Sequence, residues 1–73
     1  MDKATAKIQK RLARNVFALR KRKGWSQEEC AGNLDVATAY LSRIERGLVN
    51  VTLKNLVKIA LGFGTDVSEL LAP

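Results

Sequence analysis

Arg43, with Thr38, Ala39 and Ser42 close by, forms the group of residues in this 73-residue chain best suited to chemistry. That chemistry is recognition rather than catalysis. In a helix over about 37–46, Val36, Leu41 and Ile44 supply the apolar side, and Thr38, Ala39, Ser42 and Arg43 lie away from it. A helix that is polar and cationic on its outer side can be pushed into a DNA major groove. The residues just before it supply the support. Ser26, three residues ahead of Glu29, makes a capping box that can start a helix over about 26–34. Cys30, Ala31 and Leu34 share one face of that helix. Asp35 stands where it must stop, and Asp tolerates the left-handed turn conformation better than most residues. The stretch 26–47 therefore reads as two short helices joined by a tight turn.

Other chemistries find little support. The chain has no His and a single Cys, so an internal disulfide is impossible and zinc-finger ligation lacks ligands. It has no Gly-rich phosphate loop and no Cys beside a base, and Glu28, Glu29 and Glu45 are accounted for by capping, helix dipole and ion pairing. An enzyme is not expected, nor is a metal, cofactor or small-molecule ligand. No apolar run approaches the roughly 18 residues that cross a bilayer, and no signal peptide is evident. A cytoplasmic protein, bacterial or phage-encoded and associated with the nucleoid, is the expectation. Cys30 reads as a buried small hydrophobe rather than a redox sensor.

The net charge of +6 is concentrated early in the chain. Lys3, Lys7, Lys10, Arg11, Arg14, Arg20, Lys21, Arg22 and Lys23 precede Gly24, opposed there by Asp2 alone. Such a field attracts polyanions, and it also suits a solvated face that keeps a small protein soluble. Both readings stand on charge alone.

The elements that must position these residues are helical. Ile8, Leu12, Val16 and Leu19 are spaced four, four and three, one stripe of an amphipathic helix over 5–23 that Gly24 ends. Phe17 falls off that stripe, with the N-terminal extension, the core or an interface as its possible contacts. Trp25 follows as an apolar plug at the edge of the core. Thr52 is a candidate N-cap for a fourth helix whose apolar face is Leu53, Leu56, Val57, Ala60 and Leu61, ended by Phe63 and Gly64. Asp66 and Glu69 form a second capping-box-like pair for a short last helix carrying Val67, Leu70 and Leu71. Strand signals and repeats are lacking. The expectation is an all-α chain of five helices, with residues 1–11 a basic extension of the first helix and 12–73 the main domain. The extension reads either as ordered helix or as an arm tracking a DNA backbone.

The ordered set Leu19-Arg20, Gly24-Trp25-Ser26-Gln27-Glu28-Glu29-Cys30-Ala31, Leu34-Asp35-Val36, Leu41-Ser42-Arg43-Ile44-Glu45-Arg46-Gly47 and Leu53 through Leu71 resembles the Xre/Cro/C1 regulators of lambda-repressor-like fold. The resemblance covers about residues 12–71, with the helix-turn-helix at helices two and three. It implies base contacts from Thr38, Ala39 and Arg43, the last with a donor fork that spans O6 and N7 of guanine. It implies phosphate contacts from Gln27, Tyr40, Ser42, Arg46, Asn50 and Thr52, and the basic helix end adds Lys21 and Lys23. Arg20 and Glu45 match the family's internal salt bridge. Val49, Leu61, Phe63 and Val67 are the expected contributors to a homodimer interface, because helices four and five commonly pair in compact members.

The implied function is a dimeric, sequence-specific regulator on inverted-repeat operators of double-stranded DNA, with a contact to RNA polymerase if it activates. The run Glu45-Arg46-Gly47 followed by Asn50-Val51-Thr52-Leu53 resembles restriction–modification controller proteins, which regulate their own operon. A phage repressor and an antitoxin's DNA-binding domain are the alternatives within the family. Outside it stand a basic membrane-surface or partner-binding module and a single-stranded RNA binder. The RNA reading calls for stacking aromatics, and the chain has four aromatics with no paired platform. Three residues depart from the family pattern. Ala37 stands where an N-cap is usual, Asp35 replaces a turn glycine, and Ala39 is small where a long reader is common, which shifts weight toward DNA shape.

Overall fold

The computed structural model describes residues 2–73; Met1, the first residue of the expected extension, lies outside them. Five helices follow one another among the described residues: α1 (Lys3–Lys23), α2 (Gln27–Leu34), α3 (Thr38–Glu45), α4 (Leu53–Phe63) and α5 (Val67–Leu70). α1 is continuous through residues 11 and 12, so the basic extension and the main domain share one helix. Asp2 caps it by accepting from the Thr5 N–H at 2.8 Å, and Gly24 closes it in the left-handed conformation.

The buried side of α1 differs from the expected stripe. Gln9, Leu12, Ala13, Val16 and Arg20 are buried, Leu19 is half-buried, and Ile8 is 40% exposed. The inward side has turned toward positions 9, 13 and 20. Small Ala13 allows close packing there, and Arg20 is drawn inward by an acidic partner on α3. Gln9 Nε2 has no hydrogen-bond partner among the described residues.

Leu12, Val16, Cys30, Ala31, Leu34, Leu41, Ile44, Ile59, Ala60, Phe63 and Leu70 form one core. Trp25 sits at its edge, stacked on Phe63 with ring centroids 5.9 Å apart. On α4 the inward residues are Ile59, Ala60 and Phe63, whereas the expected face residues Leu53, Val57 and Leu61 are 73%, 44% and 74% exposed. The reason is that α4 is apolar around most of its circumference, and the packing against α2 selects the side that carries Gly62. A Cβ at Gly62 would collide with the Leu34 side chain and lie 3.2 Å from Leu34 Cα. The last helix is held from α1: Asn15 Nδ2 donates to the Leu70 and Ala72 carbonyls at 2.8 and 2.9 Å, and Arg14 donates to the Ala72 carbonyl at 2.8 Å. At the start of α5, Asp66 caps Ser68 N–H, but Glu69 meets the Thr65 hydroxyl instead of reaching back, so the capping box is half formed.

Candidate nucleic-acid interface

The helix-turn-helix begins with the full capping box. Ser26 Oγ accepts from Glu29 N–H at 3.1 Å, and Glu29 Oε1 accepts from Ser26 N–H at 2.9 Å, which holds the Glu29 carboxyl below its usual range. α2 stops at Asp35, the one non-glycine residue with positive φ (57°) among the described residues. An Asp tolerates that region. Its carboxylate has an exposed partner in Lys58 at 3.4 Å, which offsets its charge beside the next helix. Ala37 occupies the N-cap of α3 and makes no side-chain cap bond.

Leu41 and Ile44, 0% and 1% exposed, seat α3 in the core. That leaves Thr38, Ala39 and Arg43 exposed together on its outer side, with Ser42 half-buried and Arg46 exposed at the helix end. Asn50 and Thr52, both exposed, lie in the loop that leads to α4. Each end of α3 is locked by a polar cluster. At its C-terminal end Arg20 grips Glu45 twice, Nε to Oε2 at 2.7 Å and a terminal nitrogen to Oε1 at 3.0 Å. Its other terminal nitrogen donates to the Trp25 carbonyl at 3.0 Å. The side chains of the pair are 8% and 5% exposed. The bond to Glu45 raises the Arg20 pKa above its ordinary value, so the guanidinium stays charged. Toward its N-terminal end Tyr40 Oη accepts from Asn55 Nδ2 at 3.1 Å, while Asn55 N–H is capped by Thr52 Oγ1 at 3.2 Å.

These bonds bear on three of the expected contacts. Gln27 Nε2 donates to Glu45 Oε1 at 3.2 Å, so that amide group is turned inward to the ion pair rather than outward. Tyr40 and Thr52 accept from Asn55 through their oxygens and keep their own O–H groups as donors. Lys21 and Lys23 are exposed, with their ammonium groups 5.5 and 5.8 Å from the Phe17 and Trp25 rings. Phe17 itself is 46% exposed and lies outside the core. Among the residues expected at a dimer surface, Leu61 is exposed and Val49 and Val67 are half-buried. Phe63 is 3% exposed: its stacking on Trp25 spends its surface inside the monomer.

Sequence reasoning missed Asn55, whose only signal was its place three residues after the Thr52 cap. It also missed the outward direction of Leu53 and Val57. Among the described residues no group of three or more His, Cys, Asp or Glu could hold a metal ion, and no helix is long and apolar enough to cross a membrane.

A family model described as "Helix-turn-helix", HTH_3, matches residues 16–70. The control protein C.MunI of a Mycoplasma species is 44% identical over 64 residues, which cover 86% of each chain. A hypothetical transcription factor of Neisseria meningitidis is 40% identical over 62 residues; the match spans 85% of this chain and 58% of that relative. Among solved structures, the restriction–modification controller protein C.AhdI of Aeromonas hydrophila superposes with a TM-score of 0.79 at 32% identity, over 85% of this chain and 94% of that one. The family and these relatives are DNA-binding transcription regulators, not enzymes. With its capped α2, its turn at Asp35 and its locked α3, the chain belongs to the HTH_3 helix-turn-helix family.

Proposed function

We propose that this chain is a sequence-specific regulator that binds inverted-repeat operators in double-stranded DNA as a dimer. Within its family we take it for a restriction–modification controller protein acting on its own operon in the cytoplasm. The observation that carries the proposal is the outer side of α3, where Thr38, Ala39 and Arg43 stand exposed on a helix fixed at both ends. In this reading Arg43 takes guanine, Thr38 bonds a base or touches a thymine methyl, and Ala39 adds an apolar contact. Ser42, Arg46, Asn50, Thr52, Lys21 and Lys23 meet phosphates, joined by the hydroxyl of Tyr40, while Gln27 braces Glu45.

The dimer is supported by α4. Leu53, Val57 and Leu61, spaced four and four, form one exposed apolar row, and Val67 and Val49 are half-buried. A row of this kind on a small protein marks an interaction site, and two-fold pairing sets half-sites about 34 Å apart. The controller reading rests on likeness to C.MunI along 86% of both chains. If the protein activates, RNA polymerase is a further partner.

The test is selection of bound sequences from a random duplex pool, with stoichiometry by light scattering. An enriched inverted repeat holding two chains is expected, and Arg43→Ala should lower the preference about 10- to 100-fold, the worth of one bidentate base contact. Tight, salt-sensitive binding with no enriched sequence would overturn the assignment of α3.

A further inference from the structure

Lys3, Lys7, Lys10, Arg14 and Lys21 recur at intervals of four, three, four and seven residues along α1. At 3.6 residues per turn this brings all five to one side of a continuous helix, in a row about 27 Å long. Each is exposed, Arg14 while also donating to the Ala72 carbonyl, and Phe17 holds the remaining position of the row. Asp2, the one acid before Gly24, is occupied in capping Thr5. The proposed operator contacts use only Lys21 from this row.

The row faces a different direction from the recognition side of α3. α1 meets α3 through its buried side: Arg20 bonds Glu45, and the Cβ position of Gly47 lies 4.0 Å from the Gln9 carbonyl oxygen. α3 meets α1 and the core through Leu41, Ile44 and Glu45, so Ala39 and Arg43, on the opposite side of the helix, point away from α1. Lys3, Lys7 and Lys10, about 16–27 Å along α1 from Lys21, are therefore set apart from the duplex that α3 reads.

We propose that this row binds the phosphate backbone of a second DNA duplex, so that one protein holds two DNA segments. The inference rests on the reading that α3 takes the first. Charge complementarity selects the occupant, since a duplex presents one negative charge per about 1.7 Å of axis. A second copy of the same face is excluded by like-charge repulsion. Membrane insertion would need a continuous apolar side of the helix; Leu12 and Val16 are buried in the core, and the exposed Ile8 and Phe17, nine residues apart, lie on opposite sides of it.

The test immobilises the selected operator duplex, saturates it with protein, and adds a labelled duplex of unrelated sequence. Wild type should retain the labelled duplex. The triple variant Lys3→Gln, Lys7→Gln, Lys10→Gln should lose that retention at least tenfold while keeping its affinity for the operator within about threefold. Its far-UV circular dichroism checks that it is folded. Measured separately, binding of the labelled duplex should lose about three units of salt slope, one per phosphate contact removed. Operator binding without retention by wild type overturns the second site alone, as does undiminished retention by the triple variant, which would place the second duplex elsewhere on the protein. Failure to select any operator overturns the α3 reading and this proposal with it.

Discussion

Glu45→Ala should damage this protein more than any single change on its surface. The carboxylate takes two bonds from Arg20 and one from Gln27, and the ion-paired side chains are 8% and 5% exposed. Removing it leaves a buried guanidinium whose one remaining hydrogen bond among the described residues is to the Trp25 carbonyl, with the Phe17 ring 5.3 Å away. Breaking a buried pair from one side costs about 3–5 kcal/mol, against a total stability of about 5–15 kcal/mol for a small domain. At about 4–8 °C per kcal/mol for a chain of this size, the midpoint should fall by at least about 12 °C. Thermal and urea unfolding followed by far-UV circular dichroism measures it.

Replacing both partners by apolar residues, Arg20→Met with Glu45→Leu, should recover most of the loss, because the cost comes from the stranded charge. Arg20 should stay charged across the working pH range. Arg20 is raised above its unfolded value, so the stability it adds is present below that value and is lost only as pH climbs past the folded one. A loss under about 1 kcal/mol for Glu45→Ala would put the pair among solvent-screened surface bridges and refute the argument.

Two other positions give independent checks. Gly62→Ala should destabilise by about 1–3 kcal/mol in denaturant titration, even though Ala favours a helix by about 1 kcal/mol: the new Cβ meets the Leu34 side chain and lies 3.3 Å from the Asn33 carbonyl oxygen. A neutral or stabilising result would mean that α2 and α4 can move apart freely. Cys30 is 0% exposed, and burial pushes its thiol up to about 11 from 9.0. The unfolded thiol then ionises first, so stability is full below pH 9 and falls by up to about 2 kcal/mol as pH rises toward 11. Native protein should resist thiol-directed reagents and react at once when unfolded. Rapid native labelling would contradict the burial.

Local chemistry was readable in the sequence, and the direction of apolar faces was not. Ser26 with Glu29, Thr52, Gly24 and Asp35 each act on backbone groups within a few residues, so their types at those spacings mark where helices begin and end. The pair Arg20–Glu45 could be named only through the family resemblance, because its members are 25 residues apart. Faces are set by what packs against them. On α1 the spacing of Ile8 and Leu19 pointed to one side, yet Gln9 and Arg20 are buried, since contact with α3 decides the rotation. Gln27 illustrates the same limit at the site: its position at the start of α2 suggests a phosphate, but Glu45 arrives from α3 and takes its amide.

α4 is the most instructive element. Leu53, Leu56, Val57, Ile59, Ala60, Leu61 and Phe63 ring it so completely that periodicity cannot choose an inner side. Gly62 chooses it, as the position where α2 can approach without a collision, and Phe63 then turns inward to Trp25. What is left outside is Leu53, Val57 and Leu61. Burying such side chains is worth about 1.5–3 kcal/mol each, a gain this monomer forgoes. The residues that failed as core are thus the ones that argue most strongly for a second copy. They also move the expected dimer surface off Phe63 and along the outer side of α4, where Leu61 was already among the expected contacts.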